Sequence, residues 1–292
     1  MKNVLIFGGT RFFGKKLVSL LLEKGVNVTI ATRGKTEDSF SDGVNRIVID
    51  RTKESEAWET IAKNNYDVVY DNICYSSNEA ALAAKYLDGR TKRYILTSTL
   101  SVYDEKESAN TEEDFVPENY QLHMVDLNEV SYGEGKRQTE AYLFQKTELP
   151  VVAVRFPIVL GEDDYTERLL WHVERVEKEE EIGLPNLSAK MSFINSDEAA
   201  KWLYWVGMEC NETGTFNVCA NNEWEMGSLL RRIESVVGKK ANVVVPTNTE
   251  NQSPFGIPNS WYMTNEKAAK LGFSFSDLND WLPKLIEDLH NK

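Results

Sequence analysis

Cysteine is scarce in this chain. Cys74, Cys210 and Cys219 are odd in number and share no metal-ligand spacing. That excludes a disulfide framework and fits buried thiols in a reducing compartment. Histidine occurs only at 123, 172 and 290, too scattered for a metal site. Long apolar runs are absent. Nothing approaches the roughly 18 apolar residues of a membrane span. The first apolar run, Val4–Phe7, is too short for a signal peptide and leads straight into a glycine loop. Positive charge is in deficit: 46 acidic against 33 basic residues give a net charge of −13. That argues against nucleic acid and anionic membranes as partners. The expectation is a cytoplasmic protein without repeats or low-complexity segments.

What is present is an alternation of strand and helix. The 292 residues suffice for one large α/β unit or two modest domains. Strands are predicted at Val4–Phe7, Val26–Thr32, Arg46–Asp50, Asp67–Cys74, Arg93–Ser98 and Val151–Val159. Helices are predicted at Phe13–Lys24, Ser77–Leu87 and Tyr132–Lys146. This order implies an α/β fold, a doubly wound parallel sheet with helices on both faces and ligands at the strands' carboxyl ends. After Gly161 the pattern changes. Helices are expected at Tyr165–Glu181, Ser196–Met208, Glu225–Val237 and Asp277–Asn291, with a late strand at Phe216–Ala220. The stretch Asp104–Val130 is the longest irregular one, and long loops in compact domains are often functional. It holds nine carboxylates and one lysine, Lys106. It is either a solvated face or a border of the substrate cleft that repels diphosphates.

Residues 4–14 read Val-Leu-Ile-Phe-Gly-Gly-Thr-Arg-Phe-Phe-Gly. A buried strand, a glycine turn and a helix N-terminus make a pyrophosphate site, because the first helical N–H groups are unpaired and the helix dipole favours an anion. Gly8 permits the tight turn, and Gly14 permits close helix–strand packing. Arg11 stands where the usual pattern has its middle glycine. Residues 1–160 are therefore expected to form a dinucleotide-binding domain to which 196–220 return. Residues 161–195 and 221–292 are expected to form a smaller, mostly helical substrate domain.

Two further stretches carry chemistry. Thr97-Ser98-Thr99-Leu100-Ser101 places hydroxyls at a strand's carboxyl end. Tyr132-Gly-Glu-Gly-Lys136 puts a tyrosine and a lysine on one helix face. A cation beside a phenol lowers its pKa and suits it to proton transfer alongside a nicotinamide. Tyr142 and Lys146 repeat the spacing, but Tyr142 lies about 15 Å further along the helix. It is expected to be packing or surface structure.

With these motifs in order, the chain resembles the extended short-chain dehydrogenase/reductases, the NAD-dependent epimerase/dehydratase branch with its Rossmann-type sheet. Glu140, Arg155-Phe-Pro157, Phe193-Ile-Asn-Ser-Asp197 and Gly214-Thr-Phe-Asn217 extend the match. The Gly-Gly-Thr-Arg-Phe-x-Gly loop is most similar to a branch that includes chloroplast stem-loop-binding proteins. The resemblance implies Thr99 as the substrate-oxygen donor, Tyr132 as acid/base and Lys136 as holder of the nicotinamide ribose. It implies cofactor contacts from Gly8, Thr10, Arg11, Phe12, Phe13, Gly14, Thr32, Arg33 and Thr97. Asp50 would accept from the adenine amino group and Arg51 would lie beside the ring. Asn72, Ile73 and Cys74 would line the adenosine, and Phe156, Pro157 and Ile158 would pass the nicotinamide. A homodimer through helices 77–87 and 132–146 is also implied. Departures are Arg11, Asp104 where the family usually has glycine, and a chain shorter than typical sugar-nucleotide enzymes.

The expected function is an NADP-dependent oxidoreductase or epimerase-type enzyme acting on a small-molecule hydroxyl or carbonyl. NADP is expected over NAD because Ala31-Thr32-Arg33-Gly34-Lys35 holds no carboxylate for the ribose 2′-hydroxyl, whereas Arg33 suits a 2′-phosphate. The rival reading is a catalytically silent binding or regulatory protein on the same fold, either RNA-binding or redox-sensing.

Overall fold

The computed structural model describes residues 1–246 and 248–292. Its elements run β1 (Asn3–Phe7), α1 (Phe12–Glu23), β2 (Asn27–Thr32), β3 (Asn45–Val48), α2 (Glu56–Ala62), β4 (Val68–Asp71), α3 (Ser77–Leu87) and β5 (Tyr94–Thr99). There follow α4 (Tyr132–Lys146), β6 (Val151–Phe156), β7 (Ile158–Leu160), α5 (Arg168–Lys178), β8 (Glu181–Gly183), β9 (Lys190–Met191) and β10 (Phe193–Asn195). The chain ends with α6 (Ser196–Met208), β11 (Gly214–Asn217), β12 (Trp224–Glu225), α7 (Met226–Val237), β13 (Asn242–Val244), α8 (Glu266–Lys270) and α9 (Leu278–His290).

The expected sheet is there. Seven parallel strands lie in the order β11-β6-β5-β4-β1-β2-β3. Every residue of β4, β5 and β6 is buried, as a sheet covered on both faces requires. The chain leaves β1 in one direction for β2 and β3 and in the other for β4, β5 and β6. In parallel α/β sheets such a reversal is where ligands bind, here at the carboxyl ends of β1 and β4.

Contacts divide the chain into two compact units. The first holds residues 1–103, 112–156 and 197–218; the second holds 104–111, 157–196 and 219–292. In the first, Leu5, Phe7, Trp58, Val69, Tyr94, Leu96 and Ala153 form a core. In the second, α5, α7 and α9 close around Leu169, Val173, Phe193, Leu230 and Ile286. That unit also carries three two-stranded sheets, β7 with β10, β9 with β12 and β8 with β13.

Several boundaries differ from expectation for local reasons. The strand expected over Val151–Val159 breaks at Pro157, which has no N–H to give a ladder. The helix expected over Tyr165–Glu181 shrinks to Arg168–Lys178, because Glu167 and Glu179 take left-handed φ values of 53° and 58° at its ends. The late strand is Gly214–Asn217 rather than Phe216–Ala220. Helix α2, seven residues with only Trp58 and Ile61 buried, has too little periodicity to read from sequence. Residues 112–130 are irregular but tied down. Ser77 Oγ donates to His123 O, and Gln145 Nε2 donates to the carbonyls of Pro117 and Tyr120. Most of the stretch's acids are exposed, but Glu112 is buried and accepts from the Asn217 amide.

Candidate functional site

The glycine loop is built by three glycines. Gly8 and Gly9 have φ values of 92° and 88°, which side chains rarely tolerate. A Cβ on Gly9 would lie 3.1 Å from both Ile6 and Val18, and one on Gly14 would lie 3.2 Å from the Gly9 Cα. Gly9 thus does the close-approach work, a role that the sequence reading divided between Gly8 and Gly14. The neighbouring Gly-Gly pair was its only signal. Helix α1 starts after Arg11 with no side-chain cap and no acid in its first turn. Its leading N–H groups therefore suit an anion. Thr10 and Phe13 are partly exposed and Arg11 is exposed. Phe12 takes a left-handed φ of 51°, a strained backbone within this turn. The Phe13 ring lies 5.7 Å from both Phe12 and Phe156.

At the end of β4, Asn72 faces the same turn. Its Oδ1 accepts from Thr97 Oγ1 at 2.8 Å, while its buried Nδ2 has no partner among the described residues. A Cβ on Gly14 would come within 3.5 Å of that Nδ2. An orphaned donor beside a glycine cradle and an uncapped helix fits a dinucleotide's polar atoms. Ile73 is partly exposed at this edge. Cys74, expected to line adenosine, is instead fully buried in the core, where burial pushes its thiol up to about 12.

Arg51 is a second correction. Its guanidinium turns inward, pairs with Asp71 and lies 3.6 Å from Glu79 and 5.1 Å from the Phe7 ring centroid. Tyr94 also donates to Asp71. Arg51 is 5% exposed, so its side chain does not lie open beside an adenine. A fixed cation is turned inward here because Asp71 and Glu79 are buried and need a partner. Asp50 is exposed and accepts from the Thr52 amide and hydroxyl, which lower its carboxyl together with the nearby Lys53 and Arg33 charges. Thr32 Oγ1 accepts from the Gly34 amide, and the Arg33 side chain is exposed.

The third cluster joins β5 to α4. Thr99 Oγ1 accepts from the Ser101 amide at 3.1 Å and lies 3.3 Å from Ser101 Oγ. Ser131 caps α4 by accepting from the Glu134 amide. The helix then lies against its neighbours through glycine. A Cβ on Gly133 would fall 2.4 Å from Ser101 O, and one on Gly135 would fall 2.4 Å from Tyr75 O. Only hydrogen fits at either place. This packing brings Tyr132, 47% exposed, and Lys136, 1% exposed, to the carboxyl end of β5. Among the described residues the Lys136 ammonium has its hydrogen bond elsewhere than on the Tyr132 phenol. It donates to Thr97 O at 2.7 Å and sits 4.6 Å from the Tyr75 ring centroid. Tyr75 in turn lies 6.2 Å from the Tyr132 ring. Tyr142, at the far end of α4, packs on the core.

Behind this cluster Arg155, fully buried, makes a two-pronged pair with Glu140 at 2.6 and 3.1 Å and donates to Tyr103 Oη. Tyr103 donates to Asn217, and Ser98 to Glu140. This network ties β5, α4, β6 and β11 together. Phe156 is buried at the end of β6; Pro157 and Ile158 begin the second unit. In that unit Arg168 donates to Thr166 Oγ1, Arg175 to the carbonyls of Glu181 and Glu250, and Lys190 to the Glu223 carboxylate.

Comparison with known proteins agrees with this architecture. Residues 4–83 match the model of the NAD dependent epimerase/dehydratase family. The chain is 27% identical over 234 residues to the chloroplast stem-loop binding protein of 41 kDa b of Arabidopsis thaliana, covering 74% of this chain. It spans 58% of that relative's length. A dTDP-glucose 4,6-dehydratase of Bacillus anthracis in complex with NAD superposes with a TM-score of 0.76 at 15% identity, over 100% of this chain and 97% of that one. A UDP-glucose 4-epimerase of Thermotoga maritima with UDP-glucose does so with 0.72 at 18% identity, over 99% and 97%. No helix among the described residues is long and apolar enough to cross a membrane. Over residues 4–83 the chain is similar in sequence to the NAD dependent epimerase/dehydratase family, and along its length it shares the fold of the dehydratase and epimerase structures.

Proposed function

We propose that this protein is a nicotinamide-dependent enzyme of oxidoreductase or epimerase type, acting on a hydroxyl or carbonyl of a small molecule. The observation that carries the reading is the docking of α4 through Gly133 and Gly135, which gathers Thr99, Tyr132 and Lys136 at the carboxyl end of β5. In this reading Gly8, Gly9 and Gly14, the α1 N-terminus and the Asn72 amide hold the dinucleotide. A bound nicotinamide supplies hydride transfer. The Tyr132 phenol exchanges a proton with the substrate oxygen, Thr99 donates a hydrogen bond to that oxygen, and the buried Lys136 ammonium stabilises phenolate and holds a ribose hydroxyl.

The same reading prefers NADP(H). The end of β2 offers exposed Arg33 and no carboxylate. A carboxylate repels a 2′-phosphate and a guanidinium binds it. Fluorescence titration with NADPH and NADH tests both claims. Binding of neither removes the enzyme reading; equal or tighter NADH binding removes the preference.

The Arabidopsis relative, a stem-loop binding protein, suggests a second reading, an RNA-binding protein. The net charge of −13 weighs against it. A sub-micromolar, salt-resistant complex with stem-loop RNA in an anisotropy assay would favour it over the enzyme.

A further inference from the structure

Among the described residues, the buried ammonium of Lys136 meets Thr97 O and the face of Tyr75. An ammonium carries three donors, so a single carbonyl leaves it underbonded, and a desolvated aromatic face is a substantial partner for it. The Tyr75 ring does more than back the lysine. It stands beside Tyr132 as well, so one ring borders both groups that the proposed chemistry needs.

The Tyr75 backbone is itself held at both its amide and its carbonyl. Its amide donates to Glu79 Oε2 at 2.9 Å. Its carbonyl lies against Gly135, where any side chain would collide with it. Glu79 is approached by Arg51, whose other anchor is Asp71 at the end of β4. A line of contacts thus runs from β4 through Arg51 and Glu79 to Tyr75 and ends on Lys136. It gives a structural use to Arg51, which the family resemblance put beside an adenine.

We propose that Tyr75 is a positioning residue, whose ring fixes the Lys136 ammonium and limits where the Tyr132 phenol can stand. This rests on the enzyme reading for its consequence, but not for the contact itself. The aromatic face is the working part. Tyr75→Phe therefore keeps the device and Tyr75→Leu removes it.

Two measurements test the proposal. In protein labelled with 13C-lysine, the Lys136 ε-methylene, identified by its loss in Lys136→Met, should be shifted upfield by the ring. The shift should persist in Tyr75→Phe and vanish in Tyr75→Leu. A Lys136 signal that is unshifted, or that ignores Tyr75→Leu, overturns the proposal whatever the protein binds. Titration with NADPH or NADH, whichever binds wild type, gives the functional arm. Tyr75→Leu should weaken binding roughly tenfold, as removing a desolvated cation–π contact does, and Tyr75→Phe should restore it. If Lys136→Met weakens the cofactor and Tyr75→Leu does not, the positioning role is wrong and the enzyme reading stands. If wild type binds neither cofactor, the enzyme reading fails and the lysine spectrum still decides the contact. Should Tyr75→Leu fail to fold, Tyr75→Met keeps the apolar bulk without the ring and takes its place in both arms.

Discussion

Tyr132 and Tyr142 have the same spacing to a lysine and opposite surroundings. Tyr132 is exposed at the start of α4, beside Tyr75; Tyr142 packs on the core at the other end. Tyr132→Phe removes one oxygen, so the fold and the nucleotide site should survive it. Turnover, once a carbonyl screen has found a substrate, should fall by about 10²–10⁴-fold, the worth of a general acid/base. Tyr142→Phe should stay near wild type. The reverse pattern in NADPH-coupled assays would show that the wrong tyrosine was chosen. His172 allows a prediction that needs no substrate. It is fully buried, stacked on Phe255, with Nδ1 on the Arg168 carbonyl and Nε2 on Ser253 Oγ, both at 2.7 Å. The carbonyl accepts only, so Nδ1 carries the proton and Nε2 accepts from the serine. Burial lowers the imidazole to about 4 from an ordinary 6.5. Between those values the unfolded chain binds the extra proton, so this residue makes stability rise with pH from about 4 to 6.5 and level off above. The whole rise is about 3 kcal/mol. The difference between wild type and His172→Gln in urea midpoint, followed across that window, should shrink as pH falls. A constant difference would contradict the buried neutral histidine.

At the scale of elements, the approach of α4 to β5 depends on glycine. Two glycines within a helix normally cost stability, because each loses more backbone freedom than alanine does. Here they are needed because Ser101 O and Tyr75 O occupy the space that a Cβ would take. Gly133→Ala and Gly135→Ala should each destabilise the protein by about 1–3 kcal/mol, as overpacking does. They should also displace the end of α4 and weaken cofactor binding. Thermal unfolding and the NADPH titration together check this. Improved stability with unchanged binding would mean that helix propensity outweighs the collision. The sequence offered this signal in Tyr-Gly-Glu-Gly-Lys, but a helix alone cannot say what presses on its glycines. Gly9 carries the same lesson, since its crowding comes from Ile6, Val18 and Ile30 on three different elements.

At the scale of the whole molecule, charge decides between partners. The net charge of −13 disfavours nucleic acid, yet Arg11, Arg33 and Lys35 are exposed near the loop. Arg33→Ser should weaken NADPH binding more than NADH binding, because only the 2′-phosphate loses its guanidinium. An equal effect on both would place Arg33 outside that role.

Much of this molecule is determined by local sequence. Helices α3, α4 and α6 fall at the expected residues, and buried apolar runs set β1, β4, β5 and β6, because a strand covered on both faces has no polar alternative. The glycine loop and the Thr99, Tyr132 and Lys136 candidates are legible for the same reason: their spacing is a local property. Side-chain direction is not. Arg51 and Cys74 sit in the right segment but turn inward, one toward Asp71 and Glu79, the other into the core. Tyr75 carries no motif; it matters only because α4 closes on it. Those choices belong to the tertiary structure, because they rest on which buried charges must be paired and which backbones must meet, and the partners lie 20 to 60 residues apart.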